Sequence, residues 1–522
     1  MVKKRIKYYR IYFGVISVFV LIVLIGVFAK IWFYFNSGAD RSIALNLSPI
    51  LPEAHVPYIR WLEDDPETGR VMENFSRGEI MKDYIRGWYQ VDQSMFTGDT
   101  GGLKEYFTSA ALPRILENVR EIKSGSWLLS QTDLRHFIKL HFYSADGQIV
   151  AFTDKNLLIK QRIYRKKDRK NIYRGEQLAD YDVVMLLDDG YWRIKNIVRK
   201  IPDTIDKDTN MKDNADMVQV RGRHFFLNDS IFHPAGINYY PQETPWKRFW
   251  SNYDPEVTRK DFNLIRQLGF NTVRIFINYY DFNKGDISEV RLSQLKDLLD
   301  QAGSTNLKVI VTLFDFIGDY SLPNFTASDR QLETLLTRFK NHPSILAWDL
   351  KNEPDLDFIH QDKDDVREWL EWIIKNAREY DANHLMTIGW ASAENAHLYG
   401  HLVDFVSFHS YRPIEELETD VKKLTAAVID KPLVLEEFGL STYRGIWSPY
   451  GPSEQNQSEY FSRVKRVLTE NGDLGFMLWT LYDFNEIPSD IAGGAPWIKN
   501  PQKYFGIIKQ NGKLKEGATI WK

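Results

Sequence analysis

Short apolar runs of β-type residues recur from Ala235 to Trp479, with helix-patterned stretches between most of them. They predict an α/β chain built around a (β/α)8 barrel, or TIM barrel, over residues 218–522. Two further observations complete the expected architecture. A basic stretch followed by an uncharged apolar run opens the chain, and between it and the barrel region helix-like patterns give way to alternating strands. The expectation is therefore an N-terminal transmembrane helix, a small α+β cone-shaped domain and a barrel.

Residues 1–35 carry Lys3, Lys4, Arg5, Lys7 and Arg10 ahead of the uncharged run from Ile11 to Ala29. Such a run is long enough to span a bilayer as a helix and longer than the apolar core of a cleaved signal. Apolar residues continue as Ile31-Trp32-Phe33-Tyr34-Phe35, which favours an uncleaved single-pass anchor, although Val27-Phe28-Ala29 leaves a cleaved signal peptide open. The basic residues place the N-terminus in the cytoplasm and the rest of the chain outside the cell membrane. Residues 36–75 mix proline, acidic and isolated apolar residues and read as a juxtamembrane segment with little structure of its own.

Residues 76–200 begin with helical spacing (Ile80, Tyr84, Trp88, Val91) and a second helix-like stretch from Leu103 to Ile122. Five strand-like runs follow: His136–Tyr143, Gln148–Thr153, Leu157–Tyr164, Tyr181–Leu187 and Tyr191–Val198, with Asp146-Gly147 and Asp189-Gly190 as hairpin turns. Helices followed by a curved antiparallel sheet resemble the nuclear-transport-factor-2-like fold. No polar catalytic cluster stands out here, so a spacer, assembly or polymer-contacting module is expected. The basic run Tyr164–Lys170 could touch anionic polymer or lipid, but reads first as a solvated hairpin tip. The charged stretch 201–217 reads as a linker.

In the barrel region, the eight runs are Ala235–Asn238, Thr272–Phe276, Lys308–Leu313, Ile345–Leu350, Leu385–Ile388, Phe405–Phe408, Leu433–Leu435 and Phe476–Trp479. Asp254-Pro255 opens the first long helix with a cap and a first-turn proline, and Gly269 closes it. Ahead of the barrel, His224 to Phe232 reads as a hairpin about Asn228-Asp229 that plugs the floor.

Composition excludes several functions. A net charge of −3 without a long basic face disfavours nucleic-acid binding, and the absence of cysteine rules out disulfides, thiol chemistry and thiolate metal sites. No metal-ligand spacing stands out, and neither metal nor cofactor is expected. The 27 tyrosines and 15 tryptophans would suit sugar faces but equally a barrel core.

Chemistry concentrates in two runs: Lys351-Asn352-Glu353-Pro354 after an apolar strand, and Leu435-Glu436-Glu437-Phe438-Gly439 after another. Two carboxylates facing each other across a cleft are the machinery of glycoside hydrolysis. Asn-Glu-Pro on one strand and Glu-Phe-Gly on a later one resemble the retaining glycosidases of glycoside hydrolase clan A, most closely family 5, of cellulase or mannanase type. The resemblance spans roughly residues 218–522. It implies Glu353 as the acid/base, with a raised pKa, and Glu437 as an ionised nucleophile. It also implies Arg274, Asn352, His409, Tyr411 and Trp479 as substrate-binding or supporting residues at strand ends. Arg274 could instead be a structural ion-pair partner, His409 a core histidine and Trp479 core packing. Glu436 and Glu437 are adjacent, so strand alternation sends them to opposite faces; the resemblance selects Glu437. Other aromatics after strands or in loops (Tyr239, Tyr240, Trp246, Trp250, Tyr279, Trp390, Trp447, Trp497) are candidates for sugar subsites.

One departure stands out. The third strand ends Phe314-Asp315-Phe316 where family 5 members often carry a histidine, which makes Asp315 a candidate substrate contact. The implied activity is a membrane-anchored, retaining β-glycosidase on a β-linked polysaccharide such as β-1,4-glucan or β-mannan. It would act beside exopolysaccharide secretion machinery. A transglycosylase and a non-catalytic polysaccharide-binding scaffold are the rival readings.

Overall fold

The computed structural model describes residue 55 and residues 57–202, 217–472, 474–488, 491 and 495–521. The expected N-terminal span and most of the expected linker lie outside these residues. Among the described residues no helix is long and apolar enough to cross a membrane.

The first module contains strand β1 (Tyr58–Trp61), helices α1 (Asn74–Thr97), α2 (Leu103–Tyr106) and α3 (Ala111–Ser124), and strands β2 (Trp127–Tyr143), β3 (Ile149–Arg165), β4 (Asn171–Asp188) and β5 (Tyr191–Lys200). The sheet order is β1-β2-β3-β4-β5, with β1 parallel to β2 and the rest antiparallel. Three expectations need correction. Part of the supposedly unstructured segment 36–75 is strand β1 and the start of α1. The helix expected over 103–122 breaks at residues 107–110, where Phe107 bridges to Ile194 of β5. The runs 148–153 and 157–164 are a single strand. Their junction is a bulge between Asp154 and Leu157, with Asn156 at φ +53°, and a bulge reads in sequence like a turn. The basic tip is largely solvated as expected, and Lys166 turns back to cap α3, its Nζ 2.6 Å from Lys123 O and 2.7 Å from Gly125 O.

The module also buries polar groups that its sequence does not advertise. His136, fully buried, pairs through Nδ1 with Asp154 (2.6 Å) and through Nε2 with Asp133 (2.8 Å). Tyr84 donates to Asp154 at 3.0 Å, and His55 Nε2 lies 3.3 Å from Asp133. Burial opposes a charge on this imidazole, but the two flanking carboxylates outweigh it and push His136 up to about 10.

The barrel closes from strands β9 (Ala235–Asn238), β10 (Thr272–Asn278), β11 (Lys308–Asp315), β12 (Ile345–Asn352), β13 (Leu385–Trp390), β14 (Val406–Ser410), β15 (Leu433–Phe438) and β16 (Gly475–Leu478), all parallel. These follow the eight expected runs. Helices α4 (Arg248–Ser251), α5 (Pro255–Gln267), α6 (Glu289–Ser304), α7 (Leu322–Phe339), α8 (Pro354–Asp357), α9 (Lys363–Tyr380), α10 (Ile414–Ala427) and α11 (Glu454–Glu470) lie between them. Asp254 caps α5, accepting from the Glu256 amide at 2.8 Å. Below the barrel, β6 (Gln219–Arg221), β7 (His224–Leu227) and β8 (Ser230–Phe232) form a small sheet turned by Asn228 and Asp229, both at positive φ. Phe225 packs edge-on against Phe405, in one apolar cluster with Ile310, Leu346, Val434 and Met477, so the floor is sealed.

The two modules are locked together by buried charges. Arg135 forks onto Asp329 of α7 with two bonds of 2.7 Å and lies over the Tyr380 ring at 4.9 Å. Arg162, Arg174 and Lys160 converge on Glu368 of α9 at 2.9, 3.1 and 3.2 Å. Leu134 joins the barrel's own apolar core.

Candidate active site

At the C-terminal mouth of the barrel the side chains organise around Arg274, fully buried on β10. Its Nη1 donates to Asn238 Oδ1 (3.0 Å) and Glu437 Oε2 (3.2 Å), and its Nη2 to Asp349 Oδ2 (2.6 Å) and Asn352 Oδ1 (2.8 Å). Burial opposes its charge, but Glu436, Asp349 and Glu437 outweigh that and hold it firmly protonated. Arg274 is thus an ion-pair partner and a support for the site at once.

Glu353 follows β12 directly. Its backbone is left-handed (φ +49°), its amide donates to Gly389 O at 2.6 Å, and Pro354 starts α8 behind it. A non-glycine residue held there costs about 1–3 kcal/mol, a strain typical of functional positions. Its Oε1 lies 3.0 Å from Nδ1 of His409, and the same nitrogen stands 3.8 Å from Glu437 Oε2. The donor atoms of Glu353, His409 and Glu437 all lie within 4.8 Å of one another. The other oxygen of Glu437 accepts from the Tyr411 hydroxyl. Each of these three residues thus already has a partner within the site.

The expected alternation at Glu436-Glu437 fails. Strand β15 pairs Leu435 with Phe408 and then Glu437 with His409, so Glu436 is an extra residue in a bulge. Both carboxylates therefore approach Arg274, Glu436 Oε1 at 3.7 Å from Nε and Glu437 Oε2 at 3.2 Å from Nη1.

The charges also depart from expectation. Burial pushes Glu353 up, but the hydrogen bond and charge of His409, with Arg274 and Lys351, outweigh it and hold Glu353 below the usual carboxylate range. Burial and the neighbouring Glu353 push Glu437 up, against His409, Arg274 and Tyr411. His409 is raised, because Glu437 and Glu353 outweigh its burial. These opposed shifts favour a proton on the imidazole of His409 over one on Glu353.

Asn352 accepts from Arg274 and donates to Asp315 at 3.3 Å, which leaves it one N–H. Asp315 is buried and pushed up to about 7, chiefly by burial, so near neutrality it is partly protonated and can donate. Trp479 stands just past β16 but is 6% exposed, flanked by Trp246, Tyr240 and Phe276, and offers little ring face to a ligand. Of the other candidate aromatics, Tyr239, Tyr240, Trp246, Trp250, Tyr279 and Trp390 are buried. Trp447 and Trp497 are exposed, with ring centroids 5.5 Å apart. Asn238 and Asp349 were not singled out from the sequence. Asp349 also accepts from Thr312 (2.8 Å) and from the Gly389 amide (2.8 Å). An acid inside the apolar run Ile345–Leu350 was the available signal, since a buried carboxylate needs partners. A cavity of about 740 Å³ lined by Tyr58, Trp61, Arg77 and Glu333 lies between the modules rather than at the carboxylates.

The model of the cellulase family, glycosyl hydrolase family 5, matches residues 234–485. The rat β-glucuronidase is 23% identical over 318 residues, covering 56% of this chain and 46% of that enzyme. The chain thus spans about half the length of the β-glucuronidases it matches. Mannan endo-1,4-β-mannosidase A of Podospora anserina is 23% identical over 326 residues, 51% of this chain and 82% of that one. Among solved structures, an exo-β-1,4-mannosidase from Opitutaceae bacterium strain TAV5 is 20% identical, covers 58% of this chain and 60% of its own, and superposes with a TM-score of 0.47.

Proposed function

Proceeding from a glycosyl hydrolase family 5 domain at residues 234–485, we propose that the protein is a retaining β-glycosidase acting on a β-linked polysaccharide of mannan or glucan type. The observation that carries this is the pair of acids Glu353 and Glu437, with donor atoms within 4.8 Å. Carboxylates with oxygens that close suit direct attack by one of them, whereas the ~6.5–9.5 Å separation of inverting enzymes leaves room for a water between the base and the sugar.

In the proposed reaction, Glu437 is aimed by Arg274 and Tyr411 and attacks the anomeric carbon. Glu353 gives its proton to the departing glycosidic oxygen. That proton reaches Glu353 from His409 along the 3.0 Å contact once a bound sugar displaces water from the cleft and the carboxylate loses solvation. The glycosyl–Glu437 ester is then cleaved by water, whose proton returns to Glu353. The remaining N–H of Asn352 is available to the sugar 2-hydroxyl, a contact that strengthens in the transition state.

The proposal extends to location. The basic N-terminus and apolar run anchor the chain in the cell membrane with the barrel outside, beside machinery that secretes an exopolysaccharide. Residues 76–200, read as a nuclear-transport-factor-2-like module, hold the barrel at a fixed attitude. The support for anchoring is the sequence of residues 1–35.

The test is turnover of β-mannan, β-glucans, xylan and an aryl β-glucuronide by the full chain beside Glu437→Gln. Activity on one substrate that disappears in the variant supports the reading. Binding without turnover by both proteins would instead favour a scaffold, and transfer to added acceptor sugars a transglycosylase.

A further inference from the structure

Glu436 has no part in the reaction above, yet it is enclosed at its centre. Its side chain is fully buried and neither carboxylate oxygen has a hydrogen-bond partner. The His409 ring is engaged through Nδ1 alone, and its Nε2 is likewise buried and unpartnered. Gly389 brings these atoms to one place. A Cβ built on it would stand 2.9 Å from Glu436 Oε2, 3.0 Å from His409 Nε2 and 2.9 Å from Arg274 Nη2. Because position 389 has no side chain, acid and imidazole converge within about 6 Å.

Resting on the reading of Glu353 as acid/base, we propose that Glu436 is a positioning residue: ionised, it faces Nε2 of His409 across Gly389 and keeps a proton there, so the charge of His409, and through Nδ1 the proton affinity of Glu353, follow the state of Glu436. The groups facing Glu436 are Arg274 from β10, Asp349 from β12, and His409 and Ser407 from β14, while Asn238 of β9 donates to its backbone carbonyl at 3.1 Å. Burial, then the charge of Asp349, push Glu436 up to about 7, against Arg274, His409 and Ser407. As pH rises past that value the new carboxylate retains the proton on His409. The proton that Glu353 draws from His409 is then kept to higher pH. The bulge thereby sets the alkaline limit of the acid/base residue.

The test needs no substrate. Full-length protein labelled with 15N-histidine is titrated by NMR, and the His409 signal is identified by its loss in His409→Asn. Two unit charges ~6 Å apart at an effective dielectric of ~20 interact by about two pH units. His409 in Glu436→Gln should therefore lose its proton about one to two pH units lower than in the unmodified protein. An unchanged titration overturns the proposal. If the variant does not fold, the unmodified protein decides: its Nε2 shift should bend a second time where Glu436 ionises, and a single inflection overturns the proposal. On any substrate turned over, the alkaline limb of kcat/KM should move down in Glu436→Gln with the acid limb unmoved, because the proton that Glu353 draws from His409 is lost at lower pH; a fixed alkaline limb removes the link from His409 to Glu353, and the proposal with it. If the NMR coupling is present but no substrate is turned over by the unmodified protein, the acid/base reading of Glu353 falls, and with it the proposed role.

Discussion

Replacing Arg135 by alanine should loosen the joint between the two modules. Asp329 has no exposed side-chain surface and accepts three bonds: Arg135 Nε and Nη2, both at 2.7 Å, and Tyr380 OH at 2.8 Å. Arg135→Ala removes two charge-assisted bonds and the guanidinium over the Tyr380 ring, and leaves a buried carboxylate with a single phenol. Breaking a buried pair on one side costs about 3–5 kcal/mol. Asp329→Leu alone strands the cation, but Arg135 keeps Asn376 at 2.5 Å and Glu379 at 3.6 Å, so its loss should be smaller. The double variant Arg135→Ala/Asp329→Leu removes both charges and should recover part of the stability. Urea unfolding of all four proteins, followed by tryptophan fluorescence and by calorimetry, measures the cycle. A coupling of about 2 kcal/mol or more, with the calorimetric trace splitting in Arg135→Ala, is the expected result. Additive single effects, or a loss under about 1 kcal/mol, would refute the claim that this joint is a desolvated lock rather than a surface ion pair.

Four other outcomes are expected. Glu353→Ala should lower kcat/KM on polysaccharide by about 10²–10⁴, and far less on aryl glycosides whose leaving groups need no proton, as compared in steady-state assays. Asp349→Ala should cut turnover and stability together, because Arg274 and the Gly389 amide lose their shared acceptor; melting curves beside rates check this. Trp447→Ala or Trp497→Ala should raise KM on long chains by about 3–10-fold, from stacking energies of about 0.5–1.5 kcal/mol, and leave short aryl substrates unaffected. His136 is raised from an unfolded value near ~6.5 to about 10, so the stability it adds is complete below the unfolded value and is lost as pH rises through the folded one. Unfolding free energy should therefore decline across that window, and His136→Gln should flatten the slope.

The barrel was legible because its signals are local. Each apolar run had to be a strand covered on its outer face, and strand ends announced Arg274, Asn352, Glu353, His409 and Tyr411, which the fold then brings together. What stayed hidden is set by register and tertiary placement. A one-residue bulge turns Glu436 inward, and no periodicity records it. Thr153 and Leu157 read as the ends of two strands because a bulge and a turn use the same polar residues. Asp133, His136 and Asp154 look like ordinary polar positions on strands until helix α1 closes over them, and Arg135, Arg162 and Glu368 look like solvated charges until the modules dock. Trp479 shows the limit in the other direction: its position at a strand end was right, but three neighbouring rings cover most of it.

The plug formed by Phe225 and its neighbours has a consequence for traffic. With the lower end stoppered, the barrel has one doorway, the rim carrying Glu353, Glu437 and the exposed Trp447–Trp497 pair. The barrel interior is itself packed with side chains, so a polysaccharide of the proposed class would lie across this rim. On the proposed activity, both products of a cut would leave by the face on which the substrate arrived.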